Sequence, residues 1–406
     1  MAVGAEIFPE MTAIAGVRIG TTCAGIKKTD RKDLVLFELS EQCRSAAVFT
    51  RNAFCAAPVT VAKQHLAETS ARFLLINTGN ANAGTGDQGM SDALACCQGV
   101  AENTGTLLPQ VLPFSTGVIG EQLPVHTIID GIPAAYDALT ENGWADAAEG
   151  IMTTDTRPKG ATASFDYHGA TINVTGISKG SGMICPNMAT MLAFVATDAD
   201  VPQALLQEII GEASEKSFNR ITVDGDTSTN DACVLIASGS SAAPTISKEN
   251  AELYQIFVNA VTTIFKNLAH AIIRDGEGAT KFVSVTVDSA KTEAEALLVA
   301  YAIAHSPLIK TALFASDPNW GRILAAVGRA GVDELDVGRI NIYLDDVCIV
   351  ESGGAAANYR EEQGQAIMNQ EEILIRVELN RGSVSETVWT TDLSHDYISI
   401  NADYRS

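Results

Sequence analysis

The stretch KGSGMICPNMATMLAF, Lys179–Phe194, decides how the rest of this chain is read. Gly180, Ser181 and Gly182 make a small, flexible approach to Pro186-Asn187-Met188-Ala189, and Thr190 then opens an apolar run from Met191 to Ala196. A threonine hydroxyl is a weak nucleophile unless a base stands beside it. Cutting the chain before the threonine supplies that base as its own new α-amine. An Ala189–Thr190 junction at the edge of a buried strand is compatible with such a cut. Read alone, the same letters also describe a loop entering a core strand whose first residue happens to be threonine.

Outward from this segment, strand-like and helix-like patterns alternate through short connections, which predicts an α/β or α+β sandwich with no strong linker between independent units. Arg72–Asn77 reads as a buried strand, followed by a Gly-rich loop and an amphipathic helix from about Ser91 to Glu102. Gly79 and Gly84 have phosphate-loop spacing, but Thr85 stands where that loop needs its lysine. The loop therefore reads as a tight turn in which Asn and Gly accept positive φ. Asp198–Pro202 reads as a helix start with an acidic cap and a first-turn proline. The apolar face behind it is Leu205, Leu206, Ile209, Ile210 and Ala213. The longest helical stripe, within Asn250–Arg274, runs through Leu253, Ile256, Phe257, Ala260, Val261, Ile264, Phe265, Leu268 and Ile272, with Gly276 as its stop. Phe282–Val287 alternates as a strand and Thr292–Ala304 as a helix; Arg339–Leu344, Ile373–Leu379, Ser385–Trp389 and Tyr397–Asn401 read as strands.

Composition narrows the function. The 406 residues allow two or three domains, and 46% hydrophobic against 19% charged residues can bury a large core. A net charge of −22 without a basic run is repelled by nucleic acid and by anionic membranes, and mildly attracts a cationic amino acid. No apolar run approaches the length of a membrane span. The eight cysteines lack CxxC spacing and the six histidines are scattered, so no zinc site is expected. With no secretory or transit-type N-terminus, the expectation is a cytoplasmic protein with free thiols, Cys185 among them as a buried, inert one. Asp224, Asp226 and Asp231 lack the glycine and terminal glutamate of a calcium loop, and read as a structured loop near Thr190 without metal. Asp317-Pro318-Asn319-Trp320 reads as a turn that anchors a tryptophan in the core.

The Lys179–Phe194 segment resembles the cleavage-site signature of the glutamate N-acetyltransferase / ornithine acetyltransferase family of arginine biosynthesis. INTGNANAGTG at Ile76–Gly86, STGVIG at Ser115–Gly120, TTDT at Thr153–Thr156 and TVDGDTSTND at Thr222–Asp231 are similar to that family too. So are RDGEGATKF at Arg274–Phe282, SDPNWGRI at Ser316–Ile323 and the closing NADYRS at Asn401–Ser406. The blocks run in order over nearly the whole chain, which is far more specific than one Gly-rich loop.

The resemblance implies an αββα-type sandwich like that of self-processing aminopeptidases, with a smaller C-terminal α/β domain. It implies self-cleavage between Ala189 and Thr190, giving an α chain of residues 1–189 and a β chain of residues 190–406, assembled as α2β2. Thr190 matches the nucleophile, and Thr116 and Gly117 the oxyanion hole; without the family, Ser115-Thr116-Gly117 would pass for an ordinary turn. Thr153, Lys179, Thr190, Glu277, Asn401 and Ser406 match the substrate-binding positions. Lys179 suits an α-carboxylate and Glu277 a side-chain ammonium, with ordered water or Lys281 nearby to help when glutamate enters instead. The implied reaction moves acetyl from N2-acetyl-L-ornithine to L-glutamate by a ping-pong route without a cofactor. Some members of the family also acetylate glutamate from acetyl-CoA. Two other readings of the same residues are a self-processing aminopeptidase or amidohydrolase of related fold, with water as acceptor, and a non-catalytic amino-acid-binding protein.

Overall fold

The computed structural model describes residues 2–5, 8–185 and 191–403. The chain forms two compact bodies: a larger one from Ile7–Asn219 and Thr227–Ile272, and a smaller one from Met1–Glu6, Arg220–Asp226 and Ile273–Ser406. The chain passes to the smaller body at Arg220 and back at Thr227, so the return falls within the Thr222–Asp231 block read above as a single loop. Both sides of the 189/190 junction contribute to the larger body.

The larger body is built on two sheets. One has the order β1-β2-β4-β5, with β1 (Val17–Thr22), β2 (Leu34–Leu39), β4 (Phe73–Asn80) and β5 (Val111–Val118). The other has the order β3-β10-β8-β7-β6, with β3 (Arg44–Phe49), β6 (Lys159–Tyr167), β7 (Ala170–Lys179), β8 (Leu192–Thr197) and β10 (Ala232–Ala237). Their inner faces pack together: Phe37, Leu74, Ile76 and Phe114 of the first meet Ile177, Leu192, Phe194 and Val234 of the second. Phe194 is the centre of this layer, its ring 5.3 Å from Phe37 and 5.1 Å from Phe114. The outer face of the first sheet carries α1 (Ala57–Glu68), α2 (Gly86–Thr104) and α3 (Val125–Asp137), while α4 (Trp144–Gly150) adds Trp144 to the inter-sheet core. Against the second sheet lie α5 (Gln203–Glu215), whose Gln203 and Gln207 amides donate to the Ser45 and Ala47 carbonyls, and α6 (Ala251–Arg274), whose Leu268 carbonyl accepts from Ser178. The result is the αββα layering expected above.

The smaller body has one mixed sheet of order β14-β13-β12-β15-β11-β16-β9. Its strands are β9 (Ile221–Thr222), β11 (Phe282–Ala290), β12 (Asn341–Leu344), β13 (Val347–Glu351), β14 (Gly354–Ala355), β15 (Glu372–Glu378) and β16 (Val384–Thr391). Its helices are α7 (Glu293–Ala304), α8 (Pro307–Phe314), α9 (Trp320–Gly328), α10 (Glu361–Met368) and α11 (His395–Ala402). Thr292 caps α7 by accepting from Glu295 N, and Asn319 caps α9, which leaves Trp320 half-buried against the core rather than inside it.

Further readings change in the structure. Tyr397–Asn401 is helical: Ser394 accepts from Tyr397 N and starts α11, outweighing the β-rich letters. The start of α5 has no acidic cap, because Asp198 accepts from Asn173 and Asp200 pairs with Arg44, so Pro202 is the cap residue. Ile256 is exposed although it sits on the apolar stripe of α6. That helix is long and apolar enough to cross a membrane by length and composition, but half of its apolar window is buried within the protein, as in a core helix.

Removing the ring that joins the two sheets tests the layering. Phe194→Ala should lower the free energy of unfolding by about 3–5 kcal/mol in urea titration, with an unchanged m-value.

Candidate active site

In the larger body the candidate residues gather where strands end. β4 and β5 run parallel, with Thr116 opposite Thr78 and Gly117 opposite Gly79, and the register slips at Asn80. Gly117 has φ 135° and Gly79 φ 111°. A Cβ on Gly117 would stand 2.2 Å from the Gly79 carbonyl carbon, so only glycine fits. The segment is an end of strand and not the turn that its letters allow.

Asparagines hold this backbone. Asn77 donates to Asn80 O and accepts from Ser115 Oγ at 2.5 Å; Asn80 donates to the Glu121 and Gln122 carbonyls. Asn230 donates to Ala81 O at 2.5 Å and to Ser115 O at 2.9 Å, immediately before Thr116. Asn82 lies at φ 46° and Gly84 at φ 70°, as the tight-turn reading requires. The Ile76–Gly86 block is therefore a buried amide network that sets the course of Ser115–Gly117.

Lys179 is the last residue of β7, and its Nζ donates to Thr116 Oγ1 at 3.0 Å. Gly180 then turns away at φ 149°, and its N–H donates to Asp155 Oδ1 at 2.7 Å. Asp155 Oδ2 accepts from Thr153 N at 2.9 Å, and Lys159 Nζ reaches Asp155 Oδ1 at 2.6 Å, both side chains of that pair being out of solvent. Arg31 donates to the Thr153 and Met152 carbonyls. Burial works to raise the Asp155 carboxyl, but Lys159 and Lys179 beside it, with the hydrogen bonds it accepts, hold it well below the usual carboxylate range.

Asp231 has the opposite fate. It precedes Ala232, whose N–H donates to Met191 O at 2.9 Å. Burial pushes its carboxyl well above the usual range, only partly offset by Ser228 and by the charge of Lys179. Its Oδ2 is buried without a hydrogen-bond partner among the described residues.

In the smaller body, Glu277 is buried and its Oε2 accepts from Asn401 Nδ2 at 2.7 Å. Asn401 also donates to Tyr397 O, and Tyr397 OH donates to Asp224 at 3.4 Å. Burial, then the charges of Asp224, Glu277 and Asp226, push the Tyr397 hydroxyl up. Asp392 accepts from Thr280 N, Thr280 Oγ1 and Lys281 N, fixing the loop after Glu277. Behind it the buried Lys310 donates to Thr390 and Thr391; burial lowers it to about 8, with Asp392 and Asp224 opposing. Lys281 is not the expected helper for Glu277: its Nζ is held by the Met368 and Gln370 carbonyls.

The structure thus groups Thr116, Gly117, Thr153 and Lys179, and separately groups Glu277 with Asn401. Ala189, Thr190 and Ser406 lie outside the described residues. The Thr222–Asp231 block is divided, with Asp224 and Asp226 in the smaller body and Asp231 in the larger. Sequence reasoning missed Asp155 and Lys159, whose only advance sign was an acid and a base four positions apart beside Thr153. Cys185 is half-buried, not buried, whereas burial pushes the Cys96 thiol up to about 12 and marks it as inert.

The ArgJ family profile matches residues 18–406. The chain is 57% identical over 406 residues to the arginine biosynthesis bifunctional protein ArgJ of Pseudomonas fluorescens (strain Pf0-1), covering 100% of both. It is 56% identical over 393 residues to the protein of that name from Methylococcus capsulatus (strain ATCC 33009 / NCIMB 11132 / Bath), covering 97% of this chain and 96% of the relative. Among solved structures, ArgJ from Bacillus halodurans matches with a TM-score of 0.50 at 39% identity, covering 52% of this chain and 99% of its own.

Two outcomes follow from the geometry. Gly117→Ala should cost clearly more stability in urea titration than Gly120→Ala, since both have positive φ but a Cβ on Gly120 meets nothing within 4 Å. Asp155 has its folded pKa below its unfolded value of about 3.9, so its contribution is complete above that pH and is lost as pH falls further. Wild-type stability should therefore drop more steeply with acid below about pH 4 than that of Asp155→Asn, followed by near-ultraviolet circular dichroism.

Proposed function

The chain belongs to the ArgJ family, and on that premise we propose that it transfers acetyl from N2-acetyl-L-ornithine to L-glutamate through an acetyl-enzyme on Thr190. The observation that supports the reading is the Lys179–Thr116 hydrogen bond of 3.0 Å beside Gly117, which brings the cation we assign to the α-carboxylate next to the pair we assign to the oxyanion. Lys179 meets the substrate α-carboxylate there, with Thr153 beside it. Because the Thr116 hydroxyl accepts from an ammonium, its own proton is a better donor to a developing oxyanion.

Thr190 first attacks the Ala189 carbonyl and, after hydrolysis of the resulting ester, carries a free α-amine. That amine, with an unperturbed pKa of about 8, takes the hydroxyl proton as Thr190 Oγ adds to the acetyl carbon. The oxyanion sits on Thr116 Oγ1–H and the Gly117 N–H. Collapse breaks the C–N bond, and the ornithine nitrogen leaves with the proton. The amine of glutamate then attacks the ester and restores Thr190. Glu277, held by Asn401, serves the side-chain ammonium of ornithine, and Ser406 completes the contacts. Residues 1–189 and 190–406 are the α and β chains of an α2β2 assembly. The solved Bacillus halodurans chain, matched over nearly all its length yet covering about half of this one, has the length of one such product. The relatives are named bifunctional; the second activity we assign is the same acetyl-enzyme loaded from acetyl-CoA.

A denaturing intact-mass spectrum after a pulse of N2-acetylornithine without glutamate tests this. The expected result is two fragments meeting at Ala189/Thr190, the second partly one acetyl group heavier, and a single uncleaved chain for Thr190→Ala. One unmodified full-length chain from the wild type would overturn the proposal.

A further inference from the structure

Thr153 and the residue after Lys179, two of the candidate substrate-contact segments in the larger body, are both tied to one buried carboxylate. Thr153 offers its backbone N–H to Asp155 Oδ2 at 2.9 Å, and Gly180, the residue after Lys179, offers its own to Asp155 Oδ1 at 2.7 Å. Neither neighbourhood is otherwise a regular element: β7 stops at Lys179, and the Thr153 loop lies between α4 and β6. Thr154 and Ser181 repeat the stitch one residue on, their hydroxyls 2.7 Å apart. Gly180 turns the chain at φ 149°, a backbone conformation that side-chain-bearing residues rarely adopt. Something has to fix where that turn places Lys179, and the Asp155 carboxylate catches its first amide.

We propose that Asp155 is a positioning residue that sets the spacing between Thr153 and Lys179, and with it the recognition of the substrate α-carboxylate. Lys159 is part of the device. Its ammonium, 2.6 Å from Asp155 Oδ1 and equally buried, keeps the carboxylate charged where no water reaches it. An ionised carboxylate accepts from both backbone amides at once; an amide side chain in its place would turn its NH2 toward one of these donors, and a longer acid would displace both loops. Asp155 never touches the substrate in this arrangement. It acts through Lys179, whose Nζ it leaves aimed at Thr116. The inference rests on the reading of Lys179 as the carboxylate ligand.

The test compares kcat/KM for N2-acetyl-L-ornithine with that for its α-carboxamide analogue, in wild type, Asp155→Asn and the apolar double variant Asp155→Leu/Lys159→Met. Thermal unfolding establishes which variants fold; replacing both partners of a buried pair by apolar residues of similar size is the route that spares the fold. The wild type should prefer the acid, and folded variants should lose about 10- to 100-fold of that preference, mainly through KM for the acid. A folded variant that keeps the preference, with kcat reduced equally on both substrates, would show a purely structural role and overturn the inference. If neither variant folds, Asp155 belongs to the folding core and the positioning role is withdrawn. A wild type without any preference would instead remove the reading of Lys179 itself.

Discussion

Two sheets that bury their inner faces against one another leave polar chemistry nowhere to go but the strand ends. Every residue of β8 from Leu192 to Thr197, and of β10 from Ala232 to Ala237, is buried. An uncompensated charge placed there would pay the full cost of desolvation. Lys179 is therefore the terminal residue of β7, Asp231 comes just before β10, and Thr116 and Gly117 lie in the last three residues of β5. The pairing of β7 with β8 puts Lys179 opposite Leu192, and the pairing of β10 with β8 puts Ala232 opposite the same residue. Strand ends of both sheets thus carry the candidate groups, Thr116 and Gly117 on one sheet and Lys179 on the other, joined by the Lys179–Thr116 hydrogen bond.

Backbones also approach closely at Gly117, and the two facts are connected. An oxyanion donor works best when it is rigid before the charge develops, because no reorganisation is then needed in the transition state. Gly117 is wedged against Gly79 with no space for a methyl group, and buried asparagines tie down Ser115 two residues before it. Local charge decides the unlike fates of two buried aspartates. Asp155 stays ionised because two lysines and the hydrogen bonds it accepts oppose its burial, and Asp231 is driven toward its neutral form because little opposes it.

Much of this was legible in the residues. The strands at Arg72–Asn77 and Phe282–Val287 and the long helix ending at Arg274 are present in the fold because their apolar periods are long and uninterrupted. Local signals failed where they were short. Tyr397–Asn401 has strand-like letters over too few residues to outweigh the Ser394 cap. Asp198 and Asp200 resembled a helix cap, but each is taken by a partner distant in sequence, Asn173 or Arg44, that no window of the sequence contains. Lys281 followed the same rule in the site, its ammonium claimed by carbonyls of residues 368 and 370.

The sequence by itself determined the family, the order of the blocks and the residue types the chemistry needs, because a nucleophile, an oxyanion donor and a cation are properties of single residues or short runs. It also determined the mixed α/β class, because the period of an apolar pattern is local, while the αββα layering was implied by the family resemblance. Only the tertiary structure decided that the asparagines of Ile76–Gly86 hold Ser115–Gly117 in place, that the Thr222–Asp231 block serves two bodies, and that Asp155 joins Thr153 to Gly180. Each of these is a hydrogen bond or close approach between segments far apart along the chain, and what a polar group does when buried depends on which partner the fold brings to it.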